Sequence, residues 1–171
     1  AFPEWPANVI VIPPESPIST YDLASQSDAA LIYATKTGVE LAAIGIPVIV
    51  AGEAWVRNKG VATDVTNRDS YFACLDALPH GKRLPAEIVD RARRYAYHFF
   101  FRRMIPLEMV EKVAGPRTFT VTSAGLAPLR TGASAGLDAI CDGILNGSPF
   151  HLREDVLAEA AERSSRTIPH S

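Results

Sequence analysis

Asp28-Ala-Ala-Leu-Ile-Tyr-Ala-Thr-Lys-Thr-Gly-Val-Glu-Leu-Ala-Ala-Ile-Gly-Ile-Pro-Val-Ile-Val-Ala-Gly52 is the stretch that decides the fold. Two apolar runs, residues 29–34 and 47–51, flank a polar turn and a short apolar segment carrying one glutamate. Runs that are apolar throughout, not alternating, are what a parallel strand covered on both faces requires. An earlier run, Asn8-Val-Ile-Val-Ile12, has the same character and stops at Pro13-Pro14. Segments 19–27 and 38–45 are long enough for crossover helices at about 1.5 Å of rise per residue. Ser19 or Thr20 caps the first, and Gly45-Ile-Pro47 ends the second. The pattern reads βαβαβ with right-handed crossovers, an α/β class with a thin parallel sheet that strands upstream would extend.

Composition narrows the class. A chain of 171 residues, 47% apolar and 21% charged, buries one substantial core. A net charge of −2 gives no reason to expect nucleic-acid binding or adhesion to acidic membranes. No apolar run approaches the roughly 20 residues that span a bilayer, and no signal peptide precedes the first strand, so no transmembrane segment is expected. Cys74 and Cys141 sit in helical patterns without ligand spacing and read as reduced core thiols, which fits a cytoplasmic setting. Ala1, followed by Phe2-Pro-Glu-Trp-Pro6 running straight into a strand pattern, suggests a piece of a longer protein.

Beyond the sheet the pattern turns helical. Residues 69–78 carry an apolar stripe of Tyr71, Phe72, Leu75 and Leu78. Residues 85–104 form the longest helical pattern, with Pro85 at its opening turn. It ends in Tyr97-His-Phe-Phe-Phe101, apolar nearly all round, which suggests insertion between two packed bodies before Arg102-Arg103. Residues 118–134 read as loop with one short strand at Phe119-Thr-Val-Thr122, and residues 137–145 and 156–163 as short closing helices. The division expected is a core over 1–80 and a mainly helical extension over 81–171, packing on the core or on a half not present here.

The polar clusters fall where such sheets hold ligands. A turn at the carboxyl end of a parallel strand opens onto the binding crevice, and the next helix presents unpaired N–H groups there. Thr35, Thr37 and Gly38 offer donors and close backbone approach to a phosphate, and Lys36 adds a point charge. The alternative is that the threonines merely cap a helix. Glu40 either accepts hydrogen bonds from the vicinal hydroxyls of a ribose or closes a capping box on Thr37. Glu53, Arg57, Asn58 and Lys59 leave the next strand end, where they surround sugar or phosphate or form a solvated loop, with Gly60 permitting a tight return. His80, His98, His151 and His170 are too scattered for metal ligands, no Asp-x-Asp pair occurs, and His98 reads as a packed residue.

Residues 27–60 resemble the donor-binding C-terminal half of GT-B glycosyltransferases, a Rossmann-like domain, and most closely the capsular polysaccharide biosynthesis and export proteins. The resemblance is specific over 16–75, vaguer over 91–106, and absent beyond Leu107. It implies a nucleotide-sugar substrate, a CMP- or UDP-sugar, no cofactor, and a cytoplasmic location or one peripheral to the inner membrane. By the same resemblance, Thr35, Lys36, Thr37 and Gly38 bind donor phosphate and Glu40 the ribose. Glu53, Arg57, Asn58 and Lys59 match the capsule proteins' loop. The family's N-terminal acceptor half has no room in this chain, and the His-Pro pair of the capsule group is absent, since His80-Gly81 does not match it. Donor binding without turnover by this segment alone is therefore expected, with Tyr97–Phe101 a docking surface for the other half or for a second copy. Two other readings remain: a non-catalytic capsule-export scaffold of the same fold, and a sugar-nucleotide epimerase half. The epimerases carry a second carboxylate where Leu41 follows Glu40.

Overall fold

The computed structural model describes residues 4–79, 81–113, 118–122 and 125–159. His80, His170 and the end of the expected helix over 156–163 lie outside the described residues. Two compact units, residues 1–92 and 93–171, divide the chain within a helix.

The first unit is a three-stranded parallel sheet alternating with helices. Helix α1 (Thr20–Gln26) precedes β1 (Ala30–Ile32), and α2 (Thr37–Ala43) connects it to β2 (Val48–Val50). Strand β3 (Thr63–Asp64) and helix α3 (Arg68–Asp76) follow. The order is β1-β2-β3, with Ala30 opposite Val48 and Ile49 opposite Thr63. As the central strand, β2 is buried at all three residues, as its unbroken apolar run requires. Ile46, Val39, Val56 and Val61 complete the core around it, each worth about 1.5–3 kcal/mol of burial. Edge strand β1 is covered less, and Leu31 stays 48% exposed.

Local chemistry sets the helix ends. Ser19 caps α1 by accepting from Tyr21 N–H at 3.2 Å, and Arg83 closes its far end by donating to the Ser25 and Ser27 carbonyls. Gly45, at φ +89°, turns the chain out of α2. Gly38 is required by packing: a Cβ there would sit 2.4 Å from Ile32 Cδ1 and 3.3 Å from Val56 Cγ1. It brings α2 close to β1, beneath the side chains of Ile32 and Val56.

The third strand is not the one the runs suggest. Residues 8–12 are unpaired, and Ile10 is 87% exposed. Their β-branched pattern favours extended backbone, but turns closed by Val9 N–H to Pro6 O and Ser16 N–H to Pro13 O bound the run, and prolines on both sides lack a ladder donor. Thr63–Asp64 takes the sheet position instead, anchored by buried Val61 and Val65.

The second unit continues the long helix. Helix α4 (Ala86–Tyr97) runs into a π-helix over His98–Arg103. The wider turn buries Phe99 while leaving Tyr97 and Phe101 exposed, their rings 5.6 Å apart, so the segment is not enclosed all round. A hairpin of β4 (Val110–Lys112) and β5 (Phe119–Val121) was expected only in its second strand. A 3-10 turn (Ala127–Leu129), helix α5 (Ala135–Asn146) and helical residues 154–159 close the described chain. Ser134 caps α5 and donates to Glu108 Oε2 at 2.5 Å. Cys141 lies on the exposed face of α5, not in the core, and Cys74 is half-buried in α3. No helix among the described residues is long and apolar enough to cross a membrane.

A Cβ on Gly136 would fall 1.8 Å from the Pro106 carbonyl oxygen, a backbone atom that cannot step aside. Gly136→Ala is expected to destabilise the second unit by about 3 kcal/mol or more in urea denaturation, although alanine is the better helix former.

Candidate functional site

The carboxyl ends of all three parallel strands open onto one crevice of about 470 Å³. Tyr33 follows β1, Ala51, Gly52 and Glu53 follow β2, and Val65 and Thr66 follow β3, with Asn67, Arg68 and Tyr71 from the start of α3. This is where open parallel sheets bind ligands, and the volume suits a small molecule.

Arg57 organises the crevice. Its Nη1 donates to the carbonyls of Gly52 at 3.0 Å and Val50 at 3.3 Å, and its Nη2 donates to Val65 O at 2.7 Å. One guanidinium thus holds the ends of β2 and β3 together, using the fork of donors that lysine lacks. The side chain is only 16% exposed, whereas its ion-pair partner Glu53, 3.7 Å away, is 93% exposed. That pair contributes at most about 1 kcal/mol, so the carbonyl bonds are the stronger tie. With both Nη atoms engaged, Arg57 supplies the crevice with charge more than with free donors.

Gly52 and Tyr33 shape the opposite wall. A Cβ on Gly52 would meet the Tyr33 ring at 2.6 Å and its carbonyl oxygen at 2.8 Å, so only glycine lets that ring lie across the strand end. Tyr33 is 74% exposed. Asn67 caps α3 by accepting from Ser70 N–H at 2.8 Å, and Ser70 Oγ accepts from Asn67 N–H in return. The capping box fixes Arg68 at the rim, its guanidinium carbon 5.6 Å from the Phe72 ring centre.

The residues expected from the sequence separate into different places. Glu53 and Arg57 meet in this crevice. Thr35 and Thr37 line another cavity, beside α1 and β1. There Thr35 Oγ1 donates to Thr37 Oγ1 at 3.1 Å and accepts from Thr37 N–H at 3.3 Å, so the pair serves the start of α2. Lys36 is exposed at the N-cap position without a side-chain cap bond. Gly38 is buried by packing. Asn58 adopts φ +59°, a left-handed turn that asparagine tolerates, and its N–H donates to Asp64 Oδ2 at 2.8 Å. Gly60 makes the tight return at φ +66°. Lys59 is exposed and lines neither cavity.

Glu40 also lies outside both cavity linings. Its Oε2 accepts from the Tyr21 hydroxyl at 2.8 Å, tying α2 to α1. This bond, and then the charge of Glu40, raise the Tyr21 phenol above its usual value of 10.0. A proton retained more firmly when folded stabilises at neutral pH, and that contribution is lost as pH rises through the raised phenol value. The bond takes the place of the capping box.

The sequence reading missed Tyr33, Gly52, Thr66, Asn67, Arg68 and Tyr71. The available signal was Asn67-x-x-Ser70, two short polar residues spaced to close the first turn of a helix, which marks a helix start. Among the described residues no group of three or more His, Cys, Asp or Glu is placed to hold a metal.

Arg57→Ala leaves the Gly52 and Val65 carbonyls without this donor, while Val50 O keeps Val65 N–H, and is expected to lower the unfolding free energy by about 3 kcal/mol. Arg57→Lys should recover less than half of that, since an ammonium cannot bridge both strands; urea denaturation of the two variants measures the difference. No protein-family model, no curated protein and no solved structure matches the chain.

Proposed function

We propose that the crevice at the carboxyl ends of β1, β2 and β3 binds the phosphate and ribose of a nucleotide-sugar. On this reading the chain is the donor-binding half of a glycosyltransferase of capsular or exported polysaccharide biosynthesis. The observation that carries it is the crevice itself: three parallel strand ends converge on about 470 Å³ lined by two arginines, two tyrosines and one carboxylate. Arg57 and Arg68 provide the field for a diphosphate, Tyr33 and Tyr71 provide aromatic surface, and Glu53 accepts from sugar hydroxyls. The ribose role expected of Glu40 passes to Glu53, because Glu40 is engaged by Tyr21.

A second reading, a binding scaffold without turnover, is favoured by the chemistry of the lining. Glycosyl transfer needs a base to activate the acceptor. The one carboxylate in the lining, Glu53, is almost fully exposed and faces a guanidinium. Binding is common to both readings, and turnover separates them.

Titration of CMP-, CDP- and UDP-sugars, followed by melting temperature and calorimetry, tests the proposal. One of them should bind, and Arg68→Ala should weaken it by roughly tenfold to a hundredfold, the scale of a lost charge-assisted hydrogen bond, while Glu40→Ala leaves the Kd unchanged. No response to any of the three sinks the proposal. Weakening by Glu40→Ala alone would move the ligand to the Thr35–Thr37 side.

A further inference from the structure

The outer edge of β1 is open. The strand order β1-β2-β3 gives β1 a single neighbour among the described residues, and a parallel ladder bonds each strand to that neighbour through alternate residues. Ala30 N–H donates to Pro47 O and Ile32 O accepts from Ala51 N–H, both at 2.9 Å, so Ala30 and Ile32 bond toward β2. The N–H and C=O of Leu31 between them face the other way, and Leu31 is 48% exposed. A cavity of about 310 Å³ is lined by residues 29–32, by Leu23 and Ala24 of α1 and by Leu41 of α2. Successive residues of a strand point to opposite faces, so a space that touches four in a row follows the strand's edge. The usual protections of a sheet edge are missing: residues 29–33 include no charge and no proline.

The same unit holds a strand pattern without a sheet. Residues 8–12 are β-branched after Asn8, unpaired and exposed throughout, Ile10 by 87%. The turns from Pro6 to Val9 and from Pro13 to Ser16, with Pro14 and Pro17 beside the second, stiffen the chain on both sides of the run. No residue of the run lines the slot of its own copy. An unfilled edge and an unpaired strand thus stand open together in one molecule.

We propose that the β1 edge is a strand-acceptor slot whose occupant is the Val9–Ile12 run of a second copy of this chain, exchanged reciprocally in a two-fold dimer. Each copy carries one donor and one acceptor, so a single symmetric contact closes two ladders and leaves neither surface over. Leu31 N–H and C=O take the main-chain bonds, as in strand addition to a free edge. The apolar side chains of the run leave water against Leu23, Ala24 and Leu41, which supplies the driving force. Neither the run nor the slot lining contains a charged residue, so docking strips no ion of its water.

Sedimentation equilibrium of the full chain over a dilution series reads the association, and a monomer–dimer equilibrium is expected. Ile10→Asp alters a side chain that the single copy leaves in solvent, so the diluted monomer should unfold at the same urea concentration as the natural chain. The same variant should raise the dimer Kd by roughly a hundredfold or more, because both ladders lose a buried apolar side chain. Leu31→Lys should weaken the dimer from the acceptor side. Mixed together, the two variants should associate more tightly than either does alone, since the run of one and the slot of the other remain intact. A natural chain that stays monomeric overturns the proposal, whether its own run closes the slot or a different partner fills it. A dimer indifferent to Ile10→Asp overturns it too, placing the contact elsewhere, as at Tyr97 and Phe101. A mixture no tighter than its components overturns the exchange.

Discussion

The guanidinium of Arg57 is the constraint on which the crevice depends. Strand β2 is buried from end to end, so the carbonyls at its exit cannot turn to water and must find donors within the protein. The connection from β2 to β3, residues 51–62, contains no helix whose N–H groups could serve. Arg57 supplies them to Gly52 and Val65 and adds a second to Val50 O, which also accepts from Val65 N–H, and buried Val56 beside it anchors the loop from below. The same bonds space the ends of β2 and β3, and that spacing defines the cleft between Tyr33 and α3. A residue legible as a ligand in sequence thus acts first as a strut, and its charge reaches the crevice because the strut stands in the crevice wall.

What the sequence revealed follows from how local each cause is. Runs 29–34 and 47–51 are legible as strands because neither contains a charged residue to obscure its apolar character, and both strands lie within those runs, although only β2 is buried throughout. Ser19 and Gly45 are legible as helix boundaries because capping and left-handed turns act within a few residues. Residues 8–12 carry the same β-branched signal, but a signal for extended backbone does not name a partner strand, and the run stays unpaired. Thr63–Asp64 shows the converse. Two polar residues between buried valines read as loop, yet the pairing with Ile49 and Val50 makes them a strand. With that strand unseen, the turn after it at residues 65–68, half of the crevice, was unseen too.

Glu40 illustrates a different limit. A glutamate in the first turn of a helix, three residues after a threonine, has several partners compatible with its position. The one it takes, the hydroxyl of Tyr21, comes from a helix on the far side of β1 in sequence, and no spacing rule reaches it. Gly38 likewise looks like a phosphate-approach glycine, but its missing side chain is claimed by Ile32 and Val56. In the second unit, Tyr97–Phe101 gives a correct expectation of helix, and the π-turn, which changes the angular spacing from which faces are counted, buries Phe99 while Tyr97 and Phe101 stay exposed.

Backbone amide chemical-shift mapping with a saturating CMP- or UDP-sugar tests most directly whether the strand-end crevice is the binding site. The account predicts that the amides of Tyr33, Gly52, Thr66 and Arg68 move together while those of Thr37 to Glu40 stay in place. Shifts confined to Thr37 to Glu40, or none anywhere in the first unit, would contradict it.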